Sequence, residues 1–152
     1  MKNKDTKNFW ETKKLSEMNF SEWESLCDGC GKCCLIKLED QQGKIEYTNV
    51  ACKLLNLNSC TCNDYQNRRE KVKDCVKLSP KNINEIKWMP STCSYKLIFE
   101  GKNLPSWHHL ITNDKSSIHN AHQSVKEKVI KEKSNMDFEK YIIANENSIF
   151  EN

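Results

Sequence analysis

Apolar residues along the chain come in short bursts between polar stretches, and no burst is long enough for an extended helix. After a polar tail at residues 1 to 8, Phe9, Trp10, Leu15 and Met18 open the series. A short helix is predicted from Glu22 to Leu26, with Ser21 as N-cap and Glu24 completing a Ser-x-x-Glu capping box. Trp23 and Leu26, three apart, share its inner face. Leu35 to Leu38 alternates weakly, a polar turn from Asp40 to Lys44 contains Gly43, and Ile45 to Thr48 resumes the alternation, which reads as a β-hairpin. Val50 to Leu57 carries Cys52, Leu54, Leu55 and Leu57 and predicts a helical turn. Ser79-Pro80 opens a helix with Ile83 and Ile86 on one face, ended by Met89-Pro90. Ser91 or Thr92 caps a further helix bearing Cys93, Leu97 and Ile98 that stops at Gly101. His119 and His122 would share a helix face, and Phe138 to Ala144 forms a final amphipathic helix. The pattern predicts an α+β fold, mainly α: a flexible tail over 1–8 and one small domain over 9–152, with short helices, a minor hairpin and irregular loops.

Composition thins the expected core. Of 152 residues 37% are hydrophobic and 30% charged, so a bound metal can supply stability that packing does not. The formal charge is +3, with the lysines scattered and only two arginines, Arg68 and Arg69. Nucleic-acid binding is not expected from such a distribution. No stretch approaches the length of apolar residues that a membrane span needs, and Met1 to Lys14 has no apolar signal segment, so a cytoplasmic protein is expected.

Chemistry concentrates in Cys27-Asp28-Gly29-Cys30-Gly31-Lys32-Cys33-Cys34, which holds four of the nine cysteines. Cys27-x2-Cys30 can chelate one ion while the backbone curls to point amides at the sulfurs, and Gly29 and Gly31 relieve that curl. A second CxxC, Cys30 to Cys33, overlaps it. The run therefore also resembles the first three ligands of a bacterial ferredoxin cluster, without the C-x3-C-P that completes one. Side chains of neighbours diverge, so Cys33 and Cys34 are not expected to ligate the same ion. Cys52, Cys60, Cys62, Cys75 and Cys93 remain. Nine thiols can fill two four-cysteine sites with one left over, or one site with a buried or redox-active remainder. Cys27, Cys30, Cys33, Cys34, Cys52, Cys62 and Cys75 form the candidate metal-ligand pool for zinc or iron, an iron–sulfur cluster included. Arg68 and Tyr65 are the candidate supporting residues, as donor to sulfur and hydrogen-bonding lid. Histidine ligation by His108 or His109 is unnecessary with so many thiols.

Cys27 to Cys34, Cys52-Lys-Leu-Leu, the run from Cys62 through Tyr65 to Arg68, and Cys75 together resemble the bacterial CxxCxxCC cysteine-cluster family of zinc or iron chelators. Trp23 to Gly31, Tyr47 to Cys52 and Glu100 to His108 look like its YcgN-like branch of uncharacterised proteins. The resemblance spans the chain from about Phe9 onward and implies a cytoplasmic metal-binding protein. The chain departs from the family at Arg69, where a proline often follows the arginine, and at His109, where the branch usually has proline. A related cysteine region occurs in a flagellin lysine methylase, but no methyl-donor site is recognisable here. Two other readings stay open: a redox or cofactor-dependent enzyme in which His108 or His119 assists a surplus thiolate, and a metal-stabilised adaptor docking through Trp107 to Leu110.

Overall fold

The computed structural model describes residues 8–72, 75–86 and 88–145. It is an α+β arrangement of short helices around a three-stranded sheet. The helices are α1 (Phe9–Thr12), α2 (Phe20–Ser25), α3 (Arg68–Lys71), α4 (Ser94–Phe99), α5 (His109–Thr112) and α6 (Ser117–Asn120). The strands are β1 (Leu35–Glu39), β2 (Ile45–Ala51) and β3 (Ile130–Lys131), in the order β1-β2-β3. Most of the tail expected over 1–8 lies outside the described residues.

The β1–β2 hairpin forms where alternation places it. Asp40 Oδ1 accepts the amides of Gln42 and Lys44, and Gly43 takes φ +82°, the left-handed conformation that glycine adopts freely. A bulge between Leu35 and Lys37 bends β1 close to the cysteines. β2 runs on through Val50 and Ala51, where a helical turn was expected. Both side chains are fully buried, and their backbones pair in parallel with Ile130 and Lys131.

Helix α2 starts two residues earlier than the Ser21 reading. Asn19 is the N-cap, accepting the Glu22 amide at 2.8 Å, while Glu22 accepts the Asn19 amide and pairs with Lys13. Asn19-x-x-Glu22 and Ser21-x-x-Glu24 both satisfy the capping-box pattern, and the ion pair to Lys13 favours the first. After Ser79-Pro80 the described residues form only a 3₁₀ turn, Ile83–Glu85. The Asn82 side chain accepts the Ser79 amide and donates to the Lys77 carbonyl, a local alternative to helical bonding. Helix α4 is capped at Cys93, not at Ser91 or Thr92, and ends as predicted at Gly101, φ +76°. His119 and His122 share no helix face, because α6 stops at Asn120 and His122 has φ +57°. The final helix is also absent: Phe138–Tyr141 is a 3₁₀ turn, after which Ile142 bridges Thr48 and the Ile143 amide donates to the Tyr47 carbonyl. Strand pairing overrides a weak helical period there.

Two apolar clusters form the interior. One gathers Leu15, Leu26, Ile83, Met89, Tyr95 and Leu104, with Trp23 packed beside Tyr95 as expected for its face of α2. The other gathers Leu35, Tyr47, Ala51, Leu55, Cys60 and Val125. Leu26 belongs to the first cluster and Leu35 to the second, so the cysteine run 27–34 spans the seam between them.

Candidate metal centre

The run is clamped at its start and in its middle. Leu26 is fully buried, and its carbonyl accepts a hydrogen bond from His108 Nε2 at 2.8 Å. In the middle, the Val125 amide donates to the Cys30 carbonyl at 2.8 Å. Gly29 and Gly31 both take φ +78°, but only Gly31 is crowded: a Cβ there would stand 2.6 Å from Val125 Cγ2 and 3.4 Å from Cys60 Cβ. Glycine is thus needed at 31 both for conformation and for close approach. Asp28 Oδ1 accepts the Cys30 amide at 3.0 Å, and the Lys32 amide points at Cys30 Sγ from 3.4 Å, the amide-to-sulfur contact expected of a metal knuckle.

Eight of the nine thiols are linked by electrostatic reach. Cys27, Cys30 and Cys33 lie within electrostatic reach of one another, and Cys93 reaches Cys33 and Cys27. Cys34 is hydrogen-bonded to Cys33 and senses Cys52; Cys52 senses Cys62; Cys75 senses Cys33, Cys52 and Cys62. Backbone bonds explain the second gathering. The Cys52 amide donates to the Cys34 carbonyl at 2.7 Å, Leu55 and Cys62 form an antiparallel bridge, and the Asn63 amide donates to the Leu54 carbonyl.

All nine cysteines are free. Cys27 and Cys33 are open to solvent, yet the protein around them is dense enough to disfavour charge. Burial is the leading cause that raises Cys27, Cys30, Cys52, Cys75 and Cys93, the last to about 11. Cys33 is the exception: a hydrogen bond from the Cys34 thiol lowers it and raises Cys34, and Lys37 adds to the lowering. Lys37 is the cation that Cys33 senses. Its Nζ donates to the carbonyls of Cys33 at 2.9 Å and Leu35 at 2.7 Å and sits 4.4 Å from the centre of the Trp88 ring. Burial lowers its pKa, while the charges of Cys33, Cys34, Cys30 and Cys52 oppose that.

Thiolates are the right donors for zinc or iron, and their number and clustering fit such an ion in chemistry. The arrangement is open, however: among the described residues no three His, Cys, Asp or Glu side chains stand close enough to hold one ion. Binding therefore has to draw the loops together, which couples it to folding.

Tyr65 and Arg68 lie beside this neighbourhood. Tyr65 is half exposed, so it is not a core aromatic; its hydroxyl donates to Glu24 at 3.0 Å, and the Arg68 guanidinium lies 3.8 Å from its ring centre. Arg68 donates to the Tyr65 carbonyl, and its charge reaches Cys75. Cys93, outside the candidate pool, lies just before the first residue of α4 and within electrostatic reach of Cys33 and Cys27. Cys60 stands apart, buried with φ +59° and hydrogen-bonded to Ser124, which in turn meets His119 Nδ1 at 2.6 Å. His108 is fully buried, bonded to Leu26 and to the Leu110 amide, and Leu110 packs on the first cluster. Within Trp107 to Leu110, His108 is therefore interior while Trp107, His109 and Leu110 are partly exposed.

A family model described as "Putative zinc- or iron-chelating domain", CxxCxxCC, matches residues 26–94. A UPF0260 protein of Pseudomonas syringae pv. tomato is 49% identical over 138 residues, covering 89% of this chain and 93% of the relative. A UPF0260 protein of a Caulobacter species is 52% identical over 132 residues, covering 86% and 82%. One from Parvibaculum lavamentivorans is 53% identical over 118 residues, covering 77% of each. No solved structure matches the chain significantly.

Proposed function

Because this chain belongs to the UPF0260 family, we propose that it is a cytoplasmic metal-binding protein that holds zinc or iron on cysteine thiolates. The ligands come from Cys27, Cys30, Cys33, Cys34, Cys52, Cys62 and Cys75, joined by Cys93. The observation that carries this reading is eight free thiols within electrostatic reach of one another along the seam, with the half-buried Lys37 beside them. Free thiols at this density suit a reducing compartment. Zinc there would stabilise the loops, and an iron–sulfur cluster would add one-electron chemistry.

Around such a group the chain's own residues divide the work. Gly31 lets the knuckle close against Val125, the Lys32 amide offers a hydrogen bond to Cys30 Sγ, and Lys37 offsets excess thiolate charge. Tyr65 and Arg68 close one side, with Arg68 lowering the cost of a charged Cys75. The histidine-assisted enzyme reading gains nothing from this arrangement. His108 is committed to Leu26 and Leu110, and His119 to Ser124.

Protein purified without oxygen, examined by elemental analysis and its ultraviolet–visible spectrum, tests the proposal. At least one equivalent of zinc or iron per chain is expected. Less than about a tenth of an equivalent of either would overturn it.

A further inference from the structure

We propose that Lys32 is a positioning residue: its buried ammonium bonds Thr92, docks the start of α4 against the cysteine run, and so holds Cys93 in place before any metal arrives. The benefit to metal affinity rests on the metal-binding reading; the placement of Cys93 does not.

Lysine is almost never fully buried without a partner. Lys32 is 1% exposed, and with Leu26 and His108 it is among the largest side chains that are fully buried. Gly31, at φ +78°, opens a 3₁₀ turn over Lys32–Cys34 that leaves Lys32 inside and Cys33 outside. From there Lys32 Nζ donates to Thr92 Oγ1 at 2.7 Å, across 60 positions of sequence. Its charge also reaches Asp28, whose carboxylate accepts the Cys30 amide. One ammonium therefore faces both the carboxylate that shapes the knuckle and the hydroxyl that immediately precedes Cys93.

A second tie lies on the other side of Cys93. The Tyr95 hydroxyl donates to the Trp23 carbonyl at 2.8 Å, and the two rings stand 4.5 Å apart. Thr92 and Tyr95 flank Cys93 in sequence, and their partners Lys32 and Trp23 lie on either side of Cys27 and Cys30. Cys93 is thus bracketed against the run at two points, and its own amide donates to the Pro90 carbonyl at 3.0 Å.

The two ties differ in kind. Trp23 and Tyr95 add apolar contact to the first cluster, which any core pair supplies. Lys32 instead carries a charge inward, at a desolvation cost that an apolar side chain of equal length avoids. What the charge adds is a directed, charge-assisted bond to one acceptor. A loop already docked has less entropy to lose when a metal ion binds, so that bond favours affinity more than fold stability.

Reduced, metal-free, full-length protein is treated with iodoacetamide, each cysteine is followed by peptide mass spectrometry, and the denaturation midpoint is measured on the same samples. Cys93 is expected to react about tenfold faster in Lys32→Met and in Thr92→Val than in the unaltered chain, and Thr92→Ser, which keeps a hydroxyl, is expected to restore the slow rate. The midpoint of Lys32→Met should stay at or above that of the unaltered chain, and Lys32→Met/Thr92→Val should react no faster than Lys32→Met. An unchanged Cys93 rate, equal rates in Thr92→Ser and Thr92→Val, or effects that multiply in the double variant would overturn the proposal. So would a lowered midpoint with every cysteine reacting faster alike, which marks Lys32 as structural only. If Lys32→Met does not fold, the Thr92→Ser and Thr92→Val pair decides with Lys32 in place.

Zinc affinity, read by competition with a chromophoric chelator, should then fall about tenfold in Thr92→Val and be kept in Thr92→Ser. Unaltered affinity beside a faster Cys93 would overturn the benefit to metal binding. Absence of zinc and iron from the unaltered chain would overturn the metal-binding reading itself, while the alkylation rates still decide the tie.

Discussion

His108 Nε2 donates to the carbonyl of Leu26 at 2.8 Å across 82 positions of sequence, while its Nδ1 accepts the Leu110 amide. Those two bonds fix the imidazole as the neutral Nε2–H tautomer and fix the residue immediately before Cys27. His108→Ala leaves a buried carbonyl and amide without partners and a cavity, at a cost of about 3 kcal/mol. The denaturation midpoint should fall accordingly, and an unchanged midpoint would show that the clamp is incidental.

The same imidazole sets a pH dependence. Burial holds His108 below its usual 6.5, so the native state binds fewer protons than the unfolded state between that depressed value and 6.5. Stability is complete above about pH 6.5 and declines on acidification toward the depressed value. His109 and His119 are lowered too and act in the same direction. Unfolding free energies at pH 7.5 and 5.5 should therefore differ more in the unaltered protein than in His108→Gln. Equal differences would remove His108 from the account.

Gly29 and Gly31 share φ +78° but differ in surroundings, and the pair separates conformation from packing. Gly29→Ala meets nothing within 4 Å and should cost about 1 kcal/mol of backbone strain. Gly31→Ala adds a clash with Val125 and should cost about 2 kcal/mol more. The excess should shrink in Gly31→Ala/Val125→Ala. If both alanines cost the same, the close approach carries no energy.

Lys37→Met removes a half-buried cation beside the thiols while keeping the length of its stem. Metal affinity, read by competition with a chromophoric chelator, should fall about tenfold. Unaltered affinity would mean that the thiolate charge is neutralised elsewhere.

Sequence and structure agree most where one residue type enforces one geometry. Gly43 made the hairpin turn readable, Gly101 the end of α4, and the CxxC spacing with Gly31 the knuckle. They part where two local patterns compete or a distant partner decides. Asn19 and Ser21 offered equivalent caps, and Lys13 broke the tie. Val50 and Ala51 looked helical until Ile130 and Lys131 paired with them, and Ile142 was drawn into an extended bridge by Thr48. The cysteine run at 27–34 was legible from spacing, whereas the approach of Cys93 to Cys33 was not, because nothing local links the two. The burial of His108 was equally hidden, since only the distant Leu26 carbonyl explains it.

Val125 gives the knuckle its backing, through its amide on the Cys30 carbonyl and its methyl under Gly31. On a ribosome that backing arrives late. Cys93, the last cysteine, and Leu104, the last buried member of the first cluster, have both been made before Val125 emerges. A nascent chain therefore carries every thiol while the knuckle still lacks its support, and synthesis itself sets an order in which the first core forms before the cysteine run is pinned.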